Sequence, residues 1–272
     1  MKILKTISSF LMVMFIPLFL SSCSSNENKL QKIKERGELI LGTSADYAPY
    51  EFPIKDENGN EKIVGFDINI AEEIAKDMGV DLVIKNMDFS GLLDALKSNS
   101  VDIILSGISP TESRRQSIDF SNIYYQAKTV VLTNKDKASS ITSLNDLKDY
   151  IIGVQLGSIQ DKLAQEKLKG SNIKSLLRIP ELILELLSNK VDVIITEAPV
   201  GEQYIKKNPD LVMIELDELN DHDGLGSAVG IKKDQPDLVN QVNKTIQRLI
   251  EEDKITEFYN NAISTFESLN NN

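Results

Sequence analysis

Arg114 and Glu197 are the residues whose chemistry most constrains the chain. Arg114 follows Ser109-Pro110-Thr111-Glu112, and Glu197 closes the apolar run 193–195. A guanidinium can fork onto a carboxylate through two parallel N–H groups. A carboxylate can accept from an ammonium. Ser106, Ser109 and Ser158, with nearby backbone N–H groups, can fill the remaining positions around a bound carboxylate. Tyr47 and Tyr50 flank Ala48-Pro49, and Phe89 precedes Ser90. These rings can stack on a ligand side chain, or simply pack a core. The set suits a small zwitterion with its two charges at fixed separation. Each charge also has a plain alternative: Arg114 as a solvated charge beside Arg115, and Glu197 as a helix N-cap or surface acid.

Other chemistries lack their residues. His222 is the single histidine. That excludes a zinc site of several His ligands and argues against a Ser-His triad. Lying between Asp221 and Asp223, it reads as a surface loop residue. Cys23 is the single cysteine, and no phosphate-binding P-loop or dinucleotide fingerprint occurs. No cofactor and no metal are expected.

The candidate residues must be positioned by an α/β framework. From Gly37 short apolar strands alternate with amphipathic helices. Leu39-Ile40-Leu41 and Val83-Ile84 read as strands, and residues 101–105 as a strand covered on both faces. Residues 66–78 read as a helix with Ile70, Ile74 and Met78 on one face. Asp67 is its early-turn acid and Gly79 the residue just past its end. Residues 90–99 read as a helix capped by Ser90.

The stretch 92–105 realigns on 182–195 with seven of fourteen positions identical, among them Ser98-Asn99 with Ser188-Asn189 and Val101-Asp102 with Val191-Asp192. An apolar strand precedes each copy, at Ile40-Leu41-Gly42 and Ile151-Ile152-Gly153. Two similar α/β lobes are therefore expected. Ligands bind beyond the carboxyl ends of strands in such sheets. That rule selects the loops 43–50, 106–114, 155–160 and 196–197.

The ends carry an address. Lys2 and Lys5 precede an eleven-residue apolar run at 10–20, shorter than a bilayer span. Leu20-Ser21-Ser22-Cys23 follows, resembling a bacterial lipobox cleaved before an acylated Cys23. Residues 1–22 then form a signal peptide, and 23–36 the acylated Cys, a polar tether and the start of the domain. The whole chain carries 30 Lys and Arg against 41 Asp and Glu, a net of −11. Without Lys2 and Lys5 the balance is 28 against 41, or −13, which argues against nucleic acid as a partner.

Six strings in order resemble the polar amino-acid binding proteins of ABC importers, the bacterial extracellular solute-binding proteins of family 3. They are Gly42-Thr-Ser-Ala-Asp-Tyr-Ala-Pro-Tyr-Glu-Phe52, Val64-Gly-Phe-Asp-Ile68, Met87-Asp-Phe-Ser-Gly-Leu92, Ser106-Gly-Ile-Ser-Pro-Thr-Glu112 with Arg114, Asp119-Phe-Ser121 with Tyr124-Tyr125, and Gly153-Val-Gln-Leu-Gly-Ser158. The resemblance spans about residues 30–266 and implies a two-lobed, type II periplasmic-binding-protein fold. Two hinge crossings are implied, near 126–129 and 217–225. Residues 37–127 plus 226–272 would form lobe 1, and 128–225 lobe 2.

Residue by residue, the family's stacking aromatics fall on Tyr47 and Phe89. Its carboxylate clamp falls on Arg114 with Ser106, Gly107 and Ser109. A second-lobe turn falls on Gln155, Gly157, Ser158 and Ile159, and the ammonium-binding acid on Glu197. Ser44 occupies a ligand-binding position where many members carry Asp, and Glu197 one where Asp is common.

The resemblance implies capture of a free polar amino acid for an ABC permease by a lipid-anchored monomer, at the outer face of the cytoplasmic membrane or in the periplasm. Asp46, Glu51 and the acidic balance point to a basic side chain, with glutamine and cystine as alternatives. The fold also resembles cyclohexadienyl dehydratases, in which Glu197 would serve as an acid. A sensory ligand-binding lipoprotein is a third possibility. For the lipobox, Cys23→Ala is expected to release folded protein from the membrane fraction. Retention of the variant after a salt wash would remove that reading.

Overall fold

The structure is a computed structural model, and it describes residues 28–220 and 226–269. The signal segment, Cys23, His222 and part of the second expected hinge crossing lie outside the described residues. After α1 (Lys29–Arg36) come β1 (Glu38–Thr43), a hairpin of β2 (Phe52–Lys55) and β3 (Glu61–Val64), α2 (Phe66–Met78), β4 (Asp81–Asn86), α3 (Leu92–Lys97), β5 (Ile103–Ile104), α4 (Glu112–Arg115) and β6 (Ile118–Tyr125). The chain then crosses to a second sheet. It runs through β7 (Thr129–Asn134), α5 (Lys135–Ala138), β8 (Ile151–Gln155), α6 (Ile159–Lys167), β9 (Asn172–Leu176), α7 (Ile179–Leu187), β10 (Val193–Glu197), α8 (Ala198–Lys207) and β11 (Leu211–Ile214). It returns to the first sheet with β12 (Ser227–Lys232), followed by α9 (Pro236–Glu251) and α10 (Lys254–Ser268).

The two sheets have one plan. Their strand orders are β4-β1-β5-β12-β6 and β9-β8-β10-β7-β11. The first three strands of each are parallel, and the fourth runs against its neighbours. In each lobe that fourth strand is the one laid down just after a crossing. The carboxyl ends of β1 and β5 in one lobe, and β8 and β10 in the other, consequently carry the four loops that face the cleft.

The sequence repeat is explained at atomic level. Asn99 and Asn189 both take the left-handed conformation, φ 62° and 56°, which Asn tolerates better than most side chains. Asp102 accepts from the Ile40 N–H and Asp192 from the Ile151 N–H, each at 2.8 Å. Asp102 also pairs with Lys29 and Arg36, and Asp192 with Lys137. Each acid therefore pins a neighbouring parallel strand, β1 in the first sheet and β8 in the second. Gly42 and Gly153 lie opposite Ile104 and Ile194 in register, under equivalent Leu and Val side chains.

Helix α2 has the expected bounds, with Ile70 and Ile74 fully buried and Gly79 left-handed at φ 72°. Asp67 is the first-turn acid expected, and it is buried, its carboxylate accepting from Gly107 N–H and Tyr124 Oη. One local expectation changes. Ser90 caps nothing, because residues 89–91 form a tight 3-10 turn and α3 starts two residues after it without a side-chain cap. Helix α9 buries Leu238, Val242, Ile246 and Leu249 on one face against the first lobe. At the crossing, Asn220 donates to the Thr129 carbonyl at 3.0 Å and accepts from its N–H at 2.8 Å, tying both hinge strands together.

A methyl group added at Gly153 would sit 2.9 Å from Leu182 and 3.0 Å from Val191. Such overpacking costs roughly 1–3 kcal/mol. Gly153→Ala is expected to lower the urea midpoint accordingly. Gly42→Ala, with contacts of 3.2–3.3 Å, is expected to cost less.

Candidate binding cleft

The four loops, with Phe89 from the turn after β4, line a small space between the lobes. The first lobe contributes Tyr47, Phe89, Ser106, Gly107, Ser109 and Arg114 to the lining. The second contributes Gln155, Ser158, Ile159, Gln160 and Glu197. Of the candidates named from the sequence, Ser44, Tyr50 and Gly157 are not among the lining residues. Ser44 is buried behind the wall, where its hydroxyl donates to Asp46 at 2.9 Å and its N–H to Ser106 Oγ at 3.1 Å. Gln160 is the lining residue that residue-by-residue reading missed. Its position in the 155–160 loop, in the first turn of α6, was the available signal. Its amide nitrogen is buried with no protein partner among the described residues.

Arg114 is not a solvated charge. Its side chain is 9% exposed and donates to the Ser109 carbonyl at 2.9 Å and the Gly157 carbonyl at 3.1 Å. The second bond crosses the cleft. Its guanidinium lies 5.5 Å from the centroid of Phe89, so that ring is already engaged by a cation. Burial lowers the guanidinium only to about 10, leaving it charged at neutral pH. Arg115 turns away, bonding the Pro110 carbonyl and lying over Phe120.

Glu197 occupies the N-cap position of α8 but makes no cap bond. Its carboxylate instead accepts from Tyr50 Oη at 2.5 Å, across the cleft. Burial pushes its carboxyl up to about 7, opposed by that hydrogen bond and reinforced by the charge of Asp67. Tyr50 packs in a chain of rings, 4.5 Å from Phe66 and 5.9 Å from Tyr125. Tyr125, the last residue before the first crossing, stacks on Tyr259 of α10 at 5.2 Å.

Behind the cleft lies a pair of buried carboxyls. Glu51 and Asp67 are both buried, close enough for the charge of one to act on the other. Burial, then the charge of Asp67, holds Glu51 well above the usual carboxylate range. Burial raises Asp67 to about 6. Like charges near each other disfavour ionisation of both. The pair fixes the loop in front of it: Ser106 Oγ donates to Glu51 at 2.6 Å and Gly107 N–H to Asp67 at 2.9 Å. With its hydrogen committed, Ser106 offers the space only lone pairs. One of those lone pairs already accepts from the Ser44 N–H at 3.1 Å. Ser158 caps α6, accepting from Asp161 N–H at 3.0 Å. The first-turn N–H groups of α6 remain without intrahelical partners, as in any helix.

A cleft built between two like sheets, with one guanidinium and one carboxylate on opposite lobes, defines a small-molecule clamp. Residues 39–265 match the bacterial extracellular solute-binding proteins, family 3, and the chain belongs to that family. It is 38% identical over 236 residues to the arginine-binding extracellular protein ArtP of Bacillus subtilis, covering 86% of this chain and 88% of that one. It is 33% identical to a probable histidine-binding protein of Campylobacter jejuni, covering 97% and 98%. Among solved structures it resembles an amino acid ABC transporter substrate-binding protein from Streptococcus pneumoniae bound to L-arginine. That likeness has a TM-score of 0.83 at 33% identity, covering 88% and 98% of the two chains. These relatives are binding proteins, and the family places the chain outside the cytoplasm.

The Glu197 carboxyl sets a pH dependence. Its ordinary value is 4.5 and its folded value about 7. Between those values the folded chain keeps a proton that the unfolded chain has lost, so stability falls as pH rises and levels off above. Glu197→Gln removes this penalty. At pH 8 the ligand-free variant should be more stable than wild type by roughly 1–3 kcal/mol, with the difference vanishing below the ordinary carboxylate range. Thermal melts across pH read it directly.

Proposed function

We propose that the protein captures a free L-amino acid by closing two lobes on it, and delivers it to an ABC importer. The observation that carries this is the lining of one small space by Arg114 from the first lobe and Glu197 from the second. Residues 37–127 with 226–272 act as one body and 128–225 as the other. The α-carboxylate sits on Arg114, Ser109 and the first turn of α6 with Ser158 and Ile159. The ammonium sits on Glu197 and the Ser106 hydroxyl. Tyr47 and Phe89 bound the side chain, with Gln155 and Gln160 as polar partners.

The side chain is basic in this reading. Asp46, Glu51, Asp67 and Glu197 are all buried at or behind the cleft. Against these acids the lining supplies one cation, Arg114. A cationic side chain lowers the cost of burying the acids. The arginine and histidine relatives fit this choice. Glu51 acts through the field and not by contact, since it does not line the space. The protein works as a monomer, anchored through acylated Cys23, and leaves its ligand unchanged.

Isothermal titration with L-arginine, L-histidine, L-glutamine and L-cystine tests the reading, followed by mass spectrometry of the recovered ligand. Losing one member of a buried charge pair typically costs about 2–5 kcal/mol, so Arg114→Ala should weaken every ligand by roughly 30-fold or more. Glu197→Gln should weaken amino acids but spare analogues lacking the amine. Arg115→Ala should change affinity by less than about threefold. If neither Arg114 nor Glu197 matters, the ligand is not a free α-amino acid.

A further inference from the structure

A clamp closes on contacts between its lobes as well as on its ligand. Helix α7 of the second lobe starts without a cap of its own: Arg178 occupies the N-cap position and makes no side-chain capping bond. The first N–H groups of a helix lack partners inside it and carry partial positive charge. Here an acid reaches them from the other lobe. Asp46 Oδ2 accepts from the Ile179 N–H at 3.0 Å and from Gln155 Nε2 at 3.1 Å. On its own lobe Asp46 is oriented by the Ser44 hydroxyl at 2.9 Å. Arg178 itself reaches back to Asp88 of the first lobe at 3.1 Å. Asp46 is 6% exposed and lies outside the residues lining the ligand space.

We propose that Asp46 is a closure latch: a first-lobe carboxylate that caps helix α7 of the second lobe, and so sets ligand affinity from outside the ligand space. The inference rests on the reading of the protein as a closing clamp. The apparent affinity of a clamp is its intrinsic affinity reduced by the fraction of molecules able to close. Removing the latch lowers that fraction, and the loss is the same for every ligand. A direct counter-ion for a basic side chain behaves differently, because its removal penalises cationic ligands alone. Asp46 also holds Gln155 from behind, so the latch keeps a lining residue in place as the lobes meet.

The test is titration of wild type, Asp46→Ala and Asp46→Asn with L-arginine, L-histidine and L-glutamine. Hydrogen exchange at the Ile179 amide is measured alongside in ligand-free protein. Asp46→Ala is expected to weaken every amino acid that wild type binds by a common factor of roughly tenfold. Asp46→Asn, which keeps an acceptor oxygen but not the charge, should fall between. Unchanged affinity overturns the latch, as does a loss confined to arginine and histidine. If wild type binds none of the probes, the clamp reading fails, and the Ile179 amide alone decides on the latch. Faster exchange in Asp46→Ala then supports it, and equal exchange overturns it.

Discussion

Five ionisable groups are taken out of water around one small space, and much of the surrounding architecture keeps each of them partnered. Arg114 spends two donors on carbonyls, one from each lobe. Glu197 takes a hydroxyl from Tyr50, and Asp46 takes a helix N-terminus and an amide. Glu51 takes the Ser106 hydroxyl, and Asp67 the Gly107 N–H and the Tyr124 hydroxyl. Unpaired buried charge costs several kcal/mol per ion even after relaxation. None of these groups can therefore be left facing an apolar wall. Because several partners come from opposite lobes, satisfying the charges and bringing the lobes together are one requirement.

The duplicated plan explains how such a site can be built from ordinary α/β parts. Each lobe repeats a helix, a left-handed Asn turn and a buried strand headed by an Asp that pins its neighbour. What differs between the lobes is the loop chemistry. The first lobe presents a cation and aromatic rings, and the second presents a helix N-terminus and an acid. Similar frames facing each other thus carry opposite charges, which suits a ligand bearing one of each.

Much of this was legible in the chain. The apolar periodicity of Ile70, Ile74 and Met78 and the repeat at 92–105 and 182–195 are local signals, and both describe the structure well. The lining residues followed because the four strand-end loops were identifiable from topology. The gaps were through-space. Asp67 reads as a first-turn acid, but its partners, Gly107 and Tyr124, are 40 and 57 residues away. Ser106 looked like a donor to a carboxylate until its hydrogen was found committed to Glu51. Asp46 looked like a ligand contact because nothing local reveals that a helix beginning at residue 179 lacks its own cap. Gln160 was hidden by its type: a Gln in the first turn of a helix is unremarkable unless its amide is known to be buried.

The placement of β12 has a consequence for assembly. It lies between β5 and β6, so the first sheet stays split until residues 227–232 arrive. The second sheet needs only residues 129–214, an uninterrupted stretch. Contacts of long sequence separation close late, because loop entropy must be lost before they form. The second lobe is therefore the natural first product as the chain emerges, and the first lobe is completed around it. The strand that completes the first sheet is also the one that brings the chain back from the second lobe, so the first sheet and the second crossing are finished together.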